Sequence, residues 1–192
     1  MKASVPGLPK ISCLLLVLLT GCAPAPQIIP AVAQVDVPAT QARGAGRSIA
    51  IEVVDARDDT IVGYRDPARA DSAITTSPEL LENMRRALER GYRDLGFTIV
   101  AAGQEADIEL QVRLTEFGYQ RAAGGVVREL VTGATVEATS VLPEKTITAI
   151  YRDAQSKDTV LRPSLAANAE ILNGHLAGAL SKLVADPRLT PE

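Results

Sequence analysis

Ile108-Glu109-Leu110-Gln111-Val112-Arg113-Leu114-Thr115 alternates apolar and polar side chains without a break. A period of two sends successive side chains to opposite faces of a strand, so the stretch reads as a strand with one buried and one wet face. An antiparallel sheet carries that pattern, whereas a sheet covered on both faces gives continuous apolar runs. The alternation shifts phase at Phe117 and Tyr119, which indicates a β-bulge or an apolar patch on the outer face.

Upstream, Phe97–Val100 reads as a short strand, and Leu80, Leu81, Met84, Leu88 and Leu95 recur at helical spacing. Ser77 or Thr76 suits the cap of that helix, Pro78 its first turn and Gly96 its end. Ser48–Asp55 is rich in β-branched residues and reads as another strand, while the polar stretch Ala56–Thr76, with Gly63 and Pro67, reads as a long loop with room for one short strand. Downstream, a turn at Gly124-Gly125 precedes strands near Val131–Val141 and Thr146–Arg152, joined at Pro143-Glu144. A last helix from about Ser164 to Ala185 carries Leu165, Leu172, Leu176, Leu180 and Leu183 on one stripe and stops at Asp186-Pro187. The expected fold is α+β: a mostly antiparallel sheet of four to five strands with two helices on one face, in the order β-α-β-β-β-β-α.

The N-terminus carries a different kind of signal. Lys2 and Lys10 precede the apolar run Ile11–Leu19, which is too short for the roughly 20 residues a membrane-spanning helix needs. It reads as the apolar centre of a signal peptide. Leu19-Thr20-Gly21-Cys22 follows directly and resembles the bacterial lipobox. Such a signal implies cleavage between Gly21 and Cys22 and diacylglycerol on the Cys22 thiol, with the freed amine acylated in turn. More than one acyl chain gives a stable membrane anchor. Residues 1–21 are therefore expected to be removed, and 22–47 to be a tether punctuated by Pro24, Pro26, Pro30 and Pro38. Residues 48–192 form one domain. Within the tether, Ile28-Ile29, Val32, Val35 and Val37 fit either a free segment or an edge strand lying along the domain.

Composition excludes several function classes. The chain has 20 basic and 23 acidic side chains; loss of Lys2 and Lys10 leaves 18 against 23, a net of −5, and no basic patch suits nucleic acid. With Cys13 in the leader and Cys22 under lipid, no thiol remains for a disulfide, a metal or a nucleophile. His175 is the single histidine, with neither a nucleophile motif nor companion metal ligands. Gly124-Gly125 lacks the Lys-Ser/Thr of a phosphate loop. No catalytic residue, metal or cofactor is expected. Asp55 and Arg57 stand two apart and can pair with each other, or contact a ligand or partner; Phe117 and Tyr119 are the aromatic candidates for such contact.

Over most of residues 22–190 the chain resembles the YajG-like lipoproteins of Gram-negative bacteria. The carrying features are the lipobox at Cys22, Val53-Val54-Asp55-Ala56-Arg57 followed by Gly63, and the helix end Leu95-Gly96-Phe97-Thr98-Ile99-Val100. The strand Ile108–Leu114 and the segment from Tyr151 into the last helix extend the likeness. The resemblance implies an envelope lipoprotein and no known reaction. Ala23 in place of Asp after the lipidated cysteine, by resemblance to sorting rules, directs it to the outer membrane. The expected function is a non-catalytic binding or assembly accessory of the envelope, with an envelope protein as partner ahead of glycan or lipid. The alternatives are a hydrolase using the carboxylates of Asp55, Asp58 and Asp59, since carboxylate pairs can do acid–base work, and a self-assembling oligomer.

Overall fold

The computed structural model describes residues 26–37, 42–65, 68–121, 129–158 and 164–191. The leader, Gly21, Cys22 and the Gly124-Gly125 turn lie outside the described residues. The elements are β1 (Gln27–Ile29), β2 (Ser48–Asp55), β3 (Ile61–Tyr64), β4 (Ala73–Thr76), α1 (Leu80–Asp94), β5 (Thr98–Val100), β6 (Ile108–Arg121), β7 (Glu129–Val141), β8 (Thr146–Asp158) and α2 (Leu165–Ala185).

The fold is α+β, with mixed sheets in place of the mostly antiparallel one expected. The main sheet runs β5-β2-β6-β7-β8. Its β6-β7-β8 half is an antiparallel meander, but β2 is parallel to both β5 and β6. The reason is topological: the return from β2 passes through α1, and the short loop after β5 brings β6 to the other side of β2 in the same direction. A second sheet, β1-β4-β3, draws two strands from the polar stretch expected to be a loop. β3 and β4 have four residues each, too few for a periodic signal.

The stretch expected to be a tether is seated in the fold over residues 27–37. β1 pairs in parallel with β4, Ile29 is fully buried, and Ala31 and Ala33 are buried with it. Asn83 of α1 donates to the Ala31 carbonyl at 2.7 Å, and Asn173 of α2 donates to the Pro30 carbonyl at 3.0 Å. Ser77, expected to cap α1, instead accepts from the Ala31 amide through its hydroxyl at 3.3 Å.

Helix α1 ends as its glycine foretells. Gly96 has a φ of 87°, and its amide donates to Arg93 while that of Phe97 donates to Tyr92. This is a Schellman closure, sealed by the edge-to-face contact of Tyr92 and Phe97 at 5.7 Å. The hydroxyl of Tyr92 is buried with no partner. An unsatisfied buried donor is a net cost, so Tyr92→Phe is expected to raise stability by about 1 kcal/mol, or ~2–4 °C in Tm. Calorimetry of the two proteins measures it. Helix α2 begins within a residue of the expected start, and Ser164 caps it: its Oγ accepts from the Ala167 amide at 3.2 Å. Leu172, Leu176, Leu180 and Leu183 are buried, but Leu165 in the first turn is exposed.

Both helices cover one face of the main sheet. Ile49, Ile51, Leu110, Val112, Leu114, Val136 and Ala138 point into the same core as Met84, Leu88, Leu176 and Leu180. The opposite face is polar, with Glu52–Gln111 and Arg113–Glu137 pairs across strands. Beyond α2, Asp186 binds Arg188 and accepts from the Tyr151 hydroxyl at 2.6 Å. The Arg188 hydrogen bonds, with that of Tyr151, hold its carboxyl at about 2, below the ordinary aspartate range. A depressed carboxylate contributes stability above its unfolded pKa and loses it as pH falls through the folded value. Stability on the order of 1 kcal/mol, after allowing for solvent screening, should therefore disappear between about pH 4 and pH 2. Asp186→Asn should remove that part of the acid dependence in a pH series of urea melts.

Candidate functional site

Glycine rows shape the site. The β-bulge in β6 falls between Leu114 and Glu116, leaving Thr115 as the extra residue. Past it the pairing resets, so Glu116, Thr135 and Arg152 lie in one row across three strands, and Gly118, Gly133 and Ala154 in the next. Two glycines and an alanine leave the second row almost bare of side chains. β2 has ended at Asp55, and the chain returns over this end of β6: a Cβ on Gly118 would stand 2.4 Å from the Val62 carbonyl oxygen.

Between the segment Arg57–Val62 and this part of the sheet lies an open cavity of about 310 Å³. Gly118 and Gly133 line it together with Arg57, Asp58, Asp59, Glu116 and Arg152. Its walls are mainly polar. Arg57 closes back on Asp55 in a two-pronged pair, Nη2 to Oδ2 at 2.6 Å and Nε to Oδ1 at 2.8 Å. The Arg57 hydrogen bonds hold the Asp55 carboxyl below the usual carboxylate range. The Arg57 side chain is only 5% exposed, and its remaining nitrogen, Nη1, is buried without a partner. Asp59 accepts from the Ile61 amide at 2.9 Å, and Glu116 accepts from the Thr135 hydroxyl at 2.8 Å. Asp58 is exposed at the rim.

The structure thus brings Asp55, Arg57, Asp58 and Asp59 to one place and makes Asp55 a fixed partner of Arg57. Phe117 and Tyr119 also border the cavity, through the strand that carries them. The outer-face aromatic patch is not formed, because the bulge returns both rings to the helix side. Phe117 is 5% exposed within the core, and the Tyr119 hydroxyl donates to Asn168 Oδ1 of α2 at 2.8 Å. Burial raises the Tyr119 hydroxyl above its ordinary range, as expected for a structural phenol.

A second polar cluster escaped the sequence reading. His175 Nδ1 meets Asp153 Oδ2 at 2.8 Å, and its Nε2 meets Thr132 Oγ1 at 2.8 Å. Lys182 donates to the other Asp153 oxygen at 2.6 Å and, with the His175 hydrogen bond, holds that carboxyl below its usual range. The order hydroxyl, imidazole, carboxylate is that of a hydrolase relay, but Thr132 is 6% exposed and its hydroxyl also lies 3.3 Å from the Gln155 carbonyl. A nucleophile needs an open approach and donors for the oxyanion; this hydroxyl is enclosed in the contact between α2 and the sheet. The cluster pins the helix. Gly178 allows it, since a Cβ there would stand 2.7 Å from Asp153 Cγ. Thr132, Asp153 and His175 stand on three elements and form no local motif, so the sequence marked His175 as the single histidine but not its companions.

Among the described residues no group of three His, Cys, Asp or Glu side chains could hold a metal ion, and no helix is long and apolar enough to cross a membrane.

Residues 33–191 match a family described as "Uncharacterized lipoprotein". No curated protein matches the sequence. Among solved structures, a Xanthomonas campestris protein superposes with a TM-score of 0.58 at 14% identity, covering 82% of this chain and 92% of that one. A minor lipoprotein from Acinetobacter baumannii gives a TM-score of 0.42 at 12% identity, covering 72% and 87%. At 14% identity the likeness to the Xanthomonas campestris protein concerns the fold alone.

Proposed function

Because the chain belongs to the YajG-like family of uncharacterized lipoproteins, we propose that it is a non-catalytic binding or assembly accessory, held at the periplasmic face of the outer membrane by lipid on Cys22. The cavity beneath Arg57–Val62 is the place where it binds. One observation supports this above the others: an arginine fixed by its pair with Asp55 borders a concave, polar surface. Binding sites characteristically combine a cavity with a few fixed polar groups.

The hydrolase alternative is weaker on the same geometry. Asp55 is committed to Arg57 as an ionised partner, and an acid catalyst needs a carboxyl kept protonated near neutral pH. Asp59 and Glu116 each have an oxygen engaged by the fold.

Photo-crosslinking in living cells tests the proposal. A photoreactive residue at Asp58, on the cavity rim, should give a discrete adduct with an envelope protein. The same residue at Thr148, exposed on the opposite side of the bulge along the sheet, should not. Equal labelling from both positions, or none from Asp58, would refute the cavity rim as the place where an envelope protein docks.

A further inference from the structure

The groups around the cavity have both signs, and their arrangement limits what can enter. Arg57 and Arg152 supply guanidiniums; Asp58, Asp59 and Glu116 supply carboxylates, with Asp55 behind Arg57. Counted together they are net negative. A simple anion such as phosphate would pair with the two guanidiniums but would face three carboxylates in a partly enclosed space, where like charges repel more strongly than in water. A simple cation would suit the carboxylates but be repelled by Arg57 and Arg152 in the same space. An acyl chain gains little, because the walls are mainly polar and the floor is a row of glycines.

A molecule with an oxyanion at one end and an ammonium at the other avoids all three penalties. Its carboxylate is drawn to the guanidiniums of Arg152 and Arg57, the two cations among the lining residues. Its ammonium lies toward Asp58, Asp59 and Glu116. At about 310 Å³ the cavity is at the small end of ligand pockets, which run roughly 300–1,000 Å³. Both ends of the ligand must therefore fit inside together. We propose that the cavity is a binding site for a small zwitterion of the amino-acid or dipeptide class. The inference rests on the reading of this cavity as the binding place and adds the chemistry of what it takes.

The test uses the full chain in detergent and the dipeptide alanyl-alanine as probe, followed by calorimetric titration. Saturable binding is expected, weakened at least tenfold when the amine is acetylated and at least tenfold when the carboxyl is amidated. The paired arms separate a free zwitterion from the end of a longer peptide, which needs only one charged terminus. Arg57→Gln should abolish binding, and because Arg57 is buried its folding must be checked by circular dichroism. Arg152→Gln, on an exposed side chain, should weaken binding at least tenfold with the fold unchanged. Four results would each overturn the inference: no binding at millimolar dipeptide, undiminished binding of either blocked form, equal binding to Arg152→Gln, or competition by inorganic phosphate as strong as by the dipeptide. An envelope protein captured from position 58 alongside any of these would leave the binding-module reading standing and remove only the ligand class.

Discussion

Gly118→Ala should cost about 3 kcal/mol of unfolding free energy, at the upper end for forcing extra volume into a packed site. The added methyl would stand 2.4 Å from the Val62 carbonyl oxygen and 3.0 Å from the Val62 carbonyl carbon. Both are backbone atoms, so no side chain can swing aside. β3 must lift away from β6, and with it the Arg57–Val62 segment that roofs the cavity. Urea melts give the loss, and amide exchange should locate it in β3 and β4. Gly174→Ala is the control: its Cβ meets nothing within 4 Å on an exposed turn of α2, and replacing a mid-helix glycine should stabilise by roughly 0.5–1 kcal/mol. Similar losses in both variants would show that β3 does not approach β6 as described.

Ile29→Ala should cost about 2–4 kcal/mol, the range for truncating a fully buried isoleucine. Ile29 is 0% exposed, and its carbonyl accepts from the Ser77 amide at 2.9 Å. A free tether would make the same substitution neutral to within about 0.5 kcal/mol. Ile28, which is exposed, provides the internal comparison. The pair of variants decides whether the region after Cys22 belongs to the folded body.

These two sites also show what was readable in the sequence. Long periodic segments were legible: Ile108–Leu114 alternates because one side of β6 meets the helices, and Leu172, Leu176 and Leu180 recur because α2 lies on that same face. The stop at Gly96 was legible because a left-handed residue there closes the helix. Strands of three or four residues were not, since β1, β3 and β4 are stabilised by pairing with one another and by packing of β3 on β6 and of β1 on α2, and a tertiary cause leaves a weak local trace. The parallel placement of β2 against β6 follows from a crossover and a short loop, which periodicity does not encode. At the site, the two-residue spacing of Asp55 and Arg57 foretold their pairing. The cavity itself depends on Gly118 and Gly133 meeting across two strands, a coincidence of register that appears only once the bulge at Thr115 is placed. That same bulge turned Phe117 and Tyr119 inward, against the patch their phase shift allowed.

The compartment underlies the whole functional reading, because a partner in the envelope requires the protein to be there. Intact mass spectrometry of the chain purified from cell membranes tests this most directly. The account predicts a mature protein beginning at Cys22 and carrying diacylglycerol with an added acyl chain, and a Cys22→Ala variant that leaves the outer-membrane fraction. An unmodified cysteine, or a chain still starting at Met1 and recovered away from membranes, would contradict it.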